Sequence, residues 1–185
     1  MRKSYLEVTP DVRLYYPSPD FASGLYDLID HQRDYLRIWM PWTDSVTCES
    51  DILKVLQENI RYNLDKRKLT TYIYVNKQPA GSVALVSIDK EHKKAEIGYW
   101  LSEDLQGKGI MTQSIKRLIF YVFKTMDINR LYIKVPSQNK SSNLIPKRLG
   151  FHYEGTLRQD AIINGEFHDM EIYGILREDW DNRLS

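Results

Sequence analysis

The chain has 185 residues, 42% of them hydrophobic and 28% charged, the balance of a folded globular chain of about one domain. Lys and Arg number 26 against 25 Asp and Glu, a formal charge of +1, so neither a nucleic acid nor an anionic membrane is expected as a partner. One cysteine, Cys48, excludes an internal disulfide and a thiolate metal cluster and suits a reducing compartment; no metal is expected. The strongest apolar run, Leu118 to Phe123, sits between Arg117 and Lys124. It is far short of the ~20 residues that span a bilayer, and no targeting segment is visible, so the protein reads as soluble and cytoplasmic.

Val12 to Tyr16 opens the chain as a strand of β-branched and aromatic residues. Ser18-Pro19-Asp20 then starts a helix, with serine as cap, proline first and an acid in the first turn. Phe21, Leu25, Leu28 and Ile29 give that helix one apolar face. Leu36 to Trp42, with Trp39 and Trp42, reads as an aromatic loop that either plugs the core or walls a substrate pocket. A second helix spans Cys48 to Asn63, with Glu49 and Asp51 in its first turn. Three strands follow, Thr70 to Val75, Ala80 to Ile88 and Lys94 to Leu101, joined by hairpin-sized connectors. Ile110 to Asp127 is a long amphipathic helix with a wide apolar stripe. Leu131 to Val135 is a strand, and Ser142 to Leu149 a short helix closed by Gly150. Phe151 to Arg158 and His168 to Leu176 complete the sheet around a turn at Asn164-Gly165. The order β-α-α-β-β-β-α-β-α-β-β predicts an α/β (α+β) domain over residues 10–180.

The sharpest motif is Gln106-Gly107-Lys108-Gly109-Ile110-Met111-Thr112, between a strand and the long helix. Glycines let a backbone approach a ligand closely, and the free amides of a helix start, backed by the helix dipole, suit phosphate. The spacing is neither that of a P-loop nor of a dinucleotide fingerprint, since Thr112 stands where a third glycine belongs. A glycine turn without a ligand is the alternative.

This segment resembles the pyrophosphate loop of the GCN5-related N-acetyltransferases (GNAT). Ala95 to Trp100, Asn139-Lys140-Ser141-Ser142, Leu149-Gly150-Phe151 with Glu154-Gly155, and Asn164-Gly165 with His168-Asp169 are similar to the RimJ/RimL branch of ribosomal-protein N-acetyltransferases. Met111 departs from the final small residue of the loop. The resemblance implies a mixed, mostly antiparallel sheet of about seven strands, splayed between the fourth and fifth and flanked by about four helices. It implies acetyl-CoA as co-substrate, transfer to a primary amine without an acyl-enzyme, and a homodimer, for which the hairpin around Phe167 and Tyr173 offers an aromatic surface.

The same resemblance assigns the cofactor site. The backbone around Tyr99, Trp100 and Leu101 would pair with pantetheine as an added strand, and one of these amides would polarise the thioester carbonyl. Gln106 to Thr112 would hold the pyrophosphate, and Asn139 the pantetheine, unless it only caps a helix. The tyrosine that many family members place seven positions after that asparagine is here Pro146. Ser142 is the replacement donor to the sulfur, or a helix cap. For the base, the position matching the branch's acid is Ala161, with Asp160 adjacent; Glu96 is a rival that also suits an ion pair, and an ordered water is a third option. His168 beside Asp169 reads as structural, because neighbours on a strand point to opposite faces. Trp39 and Trp42 would contact the acceptor. A protein N-terminus is the leading acceptor. A polyamine or aminoglycoside, and a non-catalytic acyl-CoA sensor, are the alternatives.

Overall fold

The computed structural model describes residues 4–182. Eight strands form one sheet: β1 (Tyr5–Glu7), β2 (Val12–Tyr15), β3 (Leu69–Val75), β4 (Gln78–Asp89), β5 (Lys94–Leu101), β6 (Arg130–Pro136), β7 (His152–Ile163) and β8 (Glu166–Leu176). Their spatial order is β1-β2-β3-β4-β5-β6-β8-β7. Every neighbouring pair is antiparallel except β5 and β6. Six α-helices accompany them: α1 (Ala22–His31), α2 (Arg33–Leu36), α3 (Glu49–Leu64), α4 (Ile110–Thr125), α5 (Lys140–Leu149) and α6 (Arg177–Asp181). The sheet therefore carries one strand more, and two short helices more, than the sequence pattern suggests. No helix among the described residues is long and apolar enough to cross a membrane.

Strand alternation sends neighbouring side chains to opposite faces, and the two faces carry separate cores. Ile73, Val83, Leu85, Ile97, Leu131 and Ile133 point to the side where α4 lies, against Ile115, Leu118, Ile119 and Val122. Those four helix residues are fully buried, and each contributes about 1.5–3 kcal/mol of transfer free energy. Tyr72 points the other way, into a second cluster with Leu25 and Ile29 of α1, Leu36 of α2 and Ile52 and Leu56 of α3. The aromatic hairpin surface divides the same way. Phe167 is 63% exposed, whereas Tyr173 is fully buried, its ring tilted at 58° to that of Tyr153 of β7 with centroids 5.6 Å apart. Tyr173 belongs to the core and cannot serve as a contact surface.

β7 runs five residues past Arg158 because the bulge between Leu157 and Ala161 absorbs the polar Arg158-Gln159-Asp160 stretch without ending the ladder; a second bulge lies earlier, at Tyr153/Gly155.

Candidate active site

The parallel pair β5/β6 is joined over only three residues a side, Lys94–Glu96 against Arg130–Tyr132. Beyond Glu96 the strands separate and leave a slot open towards the end of β5. The direction of the free backbone groups follows from register. Ser102 N donates to Ala80 O at 2.8 Å, and in an antiparallel ladder hydrogen-bonded pairs alternate with unbonded ones. Trp100 opposite Ser82 and Gly98 opposite Ala84 are therefore bonded to β4, while Tyr99 and Leu101 turn their N–H and C=O towards the slot. Trp100 thus departs from the expectation: its main chain is spent on β4, and its side chain packs with the α1–α3 cluster.

The glycine motif closes one end of the slot. Gly107 and Gly109 adopt φ of 71° and 73°, a left-handed conformation that other residues reach only at a cost. A Cβ at Gly107 would meet nothing within 4 Å, so torsion rather than space selects glycine. Gly109 caps α4, and Gln113 N closes back on Gly109 O at 3.0 Å. The amides of Ile110, Met111 and Thr112 precede the first intrahelical bond and point out of the helix end. The side chains of Ile110 and Met111 enter the core, so the larger Met111 is accommodated inside without crowding the loop. Lys108 Nζ donates to Asp104 O at 2.9 Å.

Two residues that the sequence pattern does not flag hold this loop. Gln32, just ahead of α2, donates to Asp104 Oδ2 at 3.3 Å and accepts from Glu103 N at 3.1 Å. Tyr35 receives a hydrogen bond from Gln106 Nε2, and burial pushes its phenol up from the usual value, with the Glu103 charge adding to the rise.

At the opposite side of the slot α5 begins two residues before the expected Ser142, and its cap is Asn139. Asn139 Oδ1 accepts from Ser142 N and Ser141 Oγ, both at 3.1 Å. Its Nδ2 donates to nothing among the described residues, so the cap leaves that donor open. Ser142 is not the cap, and its side chain neighbours the phenol of Tyr99.

The acceptor-side candidates gather on the face of β5 opposite α4 and α5. Trp42, 43% exposed, lies 6.4 Å from Trp100 in an edge arrangement. Trp39 lies 6.0 Å from His168, and the β7–β8 turn reaches over, Asn164 Nδ2 donating to Arg37 O and Ile38 O at 3.1 Å each. Asp160 is held by Lys134 at 2.8 Å; that bond, with a smaller contribution from Glu96, pushes the Lys134 ammonium up. Glu96, on the strand that borders the slot, makes no side-chain hydrogen bond among the described residues. His168 Nδ1 faces Gln138 Oε1 at 3.3 Å, while Asp169 Oδ1 accepts from Gln159 N at 2.8 Å. The two are engaged separately and form no acid–base couple. A hollow of about 460 Å³ between Lys94, Arg130, Tyr132 and Glu154 shares no residue with the glycine loop or α5.

A split in a mixed sheet, with a glycine-capped helix at one end and a capped short helix at the other, is the arrangement that the resemblance to the N-acetyltransferases implies. Residues 12–152 match the family described as Acetyltransferase (GNAT) domain, and the chain belongs to it: it is a GNAT-type N-acetyltransferase. Among relatives, a ribosomal-protein-serine acetyltransferase of Escherichia coli (strain K12) is 29% identical over 91% of this chain and 94% of its own. Two solved structures superpose closely. The microcin C7 self-immunity acetyltransferase MccE, in complex with acetyl-CoA and AMP, is 34% identical with a TM-score of 0.91, covering 94% of this chain and 96% of that one. The ribosomal L7/L12 α-N-protein acetyltransferase RimL, in complex with coenzyme A, is 28% identical with a TM-score of 0.90, covering 95% and 99%.

Proposed function

We propose that the protein transfers the acetyl group of acetyl-CoA directly to the N-terminal α-amine of a protein, with a ribosomal protein as the foremost acceptor. The observation that carries this reading is the slot beyond Glu96, edged by the unpaired backbone of Tyr99 and Leu101. An extended chain with amides, which pantetheine is, completes such an edge as a strand would. The donors at either end suit the rest of the molecule: the outward amides of Ile110 to Thr112 for the pyrophosphate, and Asn139 Nδ2 for a pantetheine carbonyl.

In this reading the acceptor amine enters from the Trp42–Trp100 side. An α-amine has an ordinary pKa of about 8, so about a tenth of it is neutral near pH 7, far more than of a lysine side chain. Its nitrogen attacks the thioester carbonyl, whose developing negative charge is met by a slot-facing amide of β5. As the C–N bond forms, the amine proton leaves through an ordered water to Glu96. As the C–S bond breaks, Ser142 Oγ donates to the departing sulfur. Asp160, occupied by Lys134, takes no proton.

A second reading keeps the donor and changes the acceptor to a small amine carrying a planar ring. The exposed face of Trp42 favours it, as does the presence of AMP in the complex of the 34% identical MccE. One assay separates the two: thiol release from acetyl-CoA against N-terminal peptides, polyamines, aminoglycosides and aminoacyl nucleotides, with the product mapped by mass spectrometry. Acetyl on a peptide α-amine is the expected result. Turnover with small amines alone would replace the protein acceptor.

A further inference from the structure

Pro146 lies inside α5 and is buried. In a regular helix the N–H at that position would bond the carbonyl four residues earlier, that of Ser142. Proline has no N–H, so the Ser142 carbonyl lacks the donor that a regular helix would supply. The phenol of Tyr99 takes that place, donating to Ser142 O at 3.1 Å from across the slot. Tyr99 stands on β5 at the point where the strand has parted from β6, and Ser142 is in the first turn of α5. The hydrogen bond is therefore a strap between the two sides of the split. Burial pushes the phenol well above its ordinary pKa, which keeps it a donor throughout the neutral range.

The other side of α5 is fastened as firmly. Asn143 Nδ2 donates to Pro136 O and to Asn139 O, both at 3.0 Å. This buried side chain ties the first turn of the helix to the last residue of β6. The first turn of α5 is thus pinned to β6 by Asn143 and to β5 by Tyr99, and those pins hold its cap Asn139 and Ser142 in place. Strands in a sheet lie about 4.8 Å apart, so a slot that admits one extended chain is about twice that width. A change of a fraction of an ångström would spoil one of its two hydrogen-bonded edges.

We infer that Pro146 and Tyr99 act as a matched pair: the proline frees the Ser142 carbonyl, and the tyrosine uses it to fix the width of the slot where pantetheine lies. Tyr99 acts here through its side chain as a positioning residue. The inference rests on the acetyl-CoA reading above and goes beyond it, because that reading needs only the backbone of Tyr99.

The test is a double-mutant cycle of Tyr99→Phe, Pro146→Ala and the pair, read by calorimetric affinity for CoA and for 3′-phospho-ADP, which has no pantetheine arm. Tyr99→Phe keeps the ring and removes only the strap. It is expected to weaken CoA about fivefold, within the range of one hydrogen bond, and to leave 3′-phospho-ADP within twofold. Pro146→Ala returns an N–H to the Ser142 carbonyl, so adding Tyr99→Phe to it should weaken CoA further by less than twofold. Equal loss of both ligands in Tyr99→Phe, loss of neither, or an additive cycle would each overturn the pairing. If Pro146→Ala fails to unfold cooperatively, the selective loss in Tyr99→Phe decides alone. A wild-type protein that binds neither nucleotide would sink the acetyl-CoA reading instead, an outcome distinct from all of these.

Discussion

At the scale of single residues the loop glycines are the most direct link from sequence to proposed chemistry. Gly109 holds φ at 73°, and a β-branched side chain there costs about 1–2 kcal/mol in torsion alone and adds bulk where a phosphate would approach. Gly109→Val is expected to weaken CoA binding at least tenfold, about 1.4 kcal/mol; unchanged affinity by calorimetry would remove the loop from the site. Ser142→Ala probes the opposite end. Loss of a donor to a thiolate whose own pKa is near 8.5 should slow turnover about 10²-fold. CoA affinity should stay within twofold, because that bond strengthens only as charge grows on sulfur. The glycines were legible because their function is local. The main chain of Trp100 was not, since its direction depends on the pairing of Ser102 with Ala80 across β4. Nor were Gln32 and Tyr35, which reach the loop from some 70 residues upstream. Asn143 did leave a trace: it shares a buried stripe with Pro146 and Leu149 at a spacing of three.

Elements were legible where hydrophobic period and length agreed. α4 and α3 begin within a residue of where their patterns begin, because a long apolar stripe has only one way to face a sheet. The three-residue β1, the four-residue α2 and the five-residue α6 are too short to show a period, and only tertiary pairing makes them regular. The start of α3 illustrates how charge fixes a boundary. Asp51 Oδ2 accepts from Thr47 N at 3.1 Å and from Thr47 Oγ1 at 3.0 Å. The backbone bond from Thr47 is the largest of several contacts that hold its carboxyl well below the ordinary carboxylate value. A lowered folded-state pKa means that the stabilisation is fully present above pH ~4 and fades as pH falls through the depressed value. Asp51→Asn should therefore lower the melting temperature at pH 7, with the gap to wild type narrowing below pH 4. A gap that widened on acidification would contradict this sign. In the other half of the molecule Leu118 is fully buried under the sheet. Leu118→Ala should cost about 2–5 kcal/mol in chemical denaturation, far more than any cap.

At the scale of the whole molecule the sheet has two unequal ends. β1 is three residues long, a short edge that offers little to pair with. β7 is a twelve-residue edge strand and almost wholly exposed. Leu157, Tyr153, Ile162 and, on the adjoining β8, Phe167 are 39%, 56%, 63% and 63% exposed, large apolar side chains spaced along one edge, with Ile162 and Phe167 directly opposite each other. Exposed apolar surface of this kind commonly marks interfaces. The two bulges of β7 displace its backbone from a straight ladder, so open-ended strand addition is discouraged and a partner at this edge would be met by side chains. A second copy meets this requirement, because a two-fold contact lets each patch cover the other. Light scattering at micromolar concentration is therefore expected to return twice the 21.9 kDa chain mass. The double variant Ile162→Lys with Phe167→Ser should return the single mass and keep its melting temperature within a few degrees, since neither side chain belongs to the buried core. A wild-type chain that stays monomeric across that range would leave the patch without a second copy to cover it. A variant that stays dimeric would move the interface to another face.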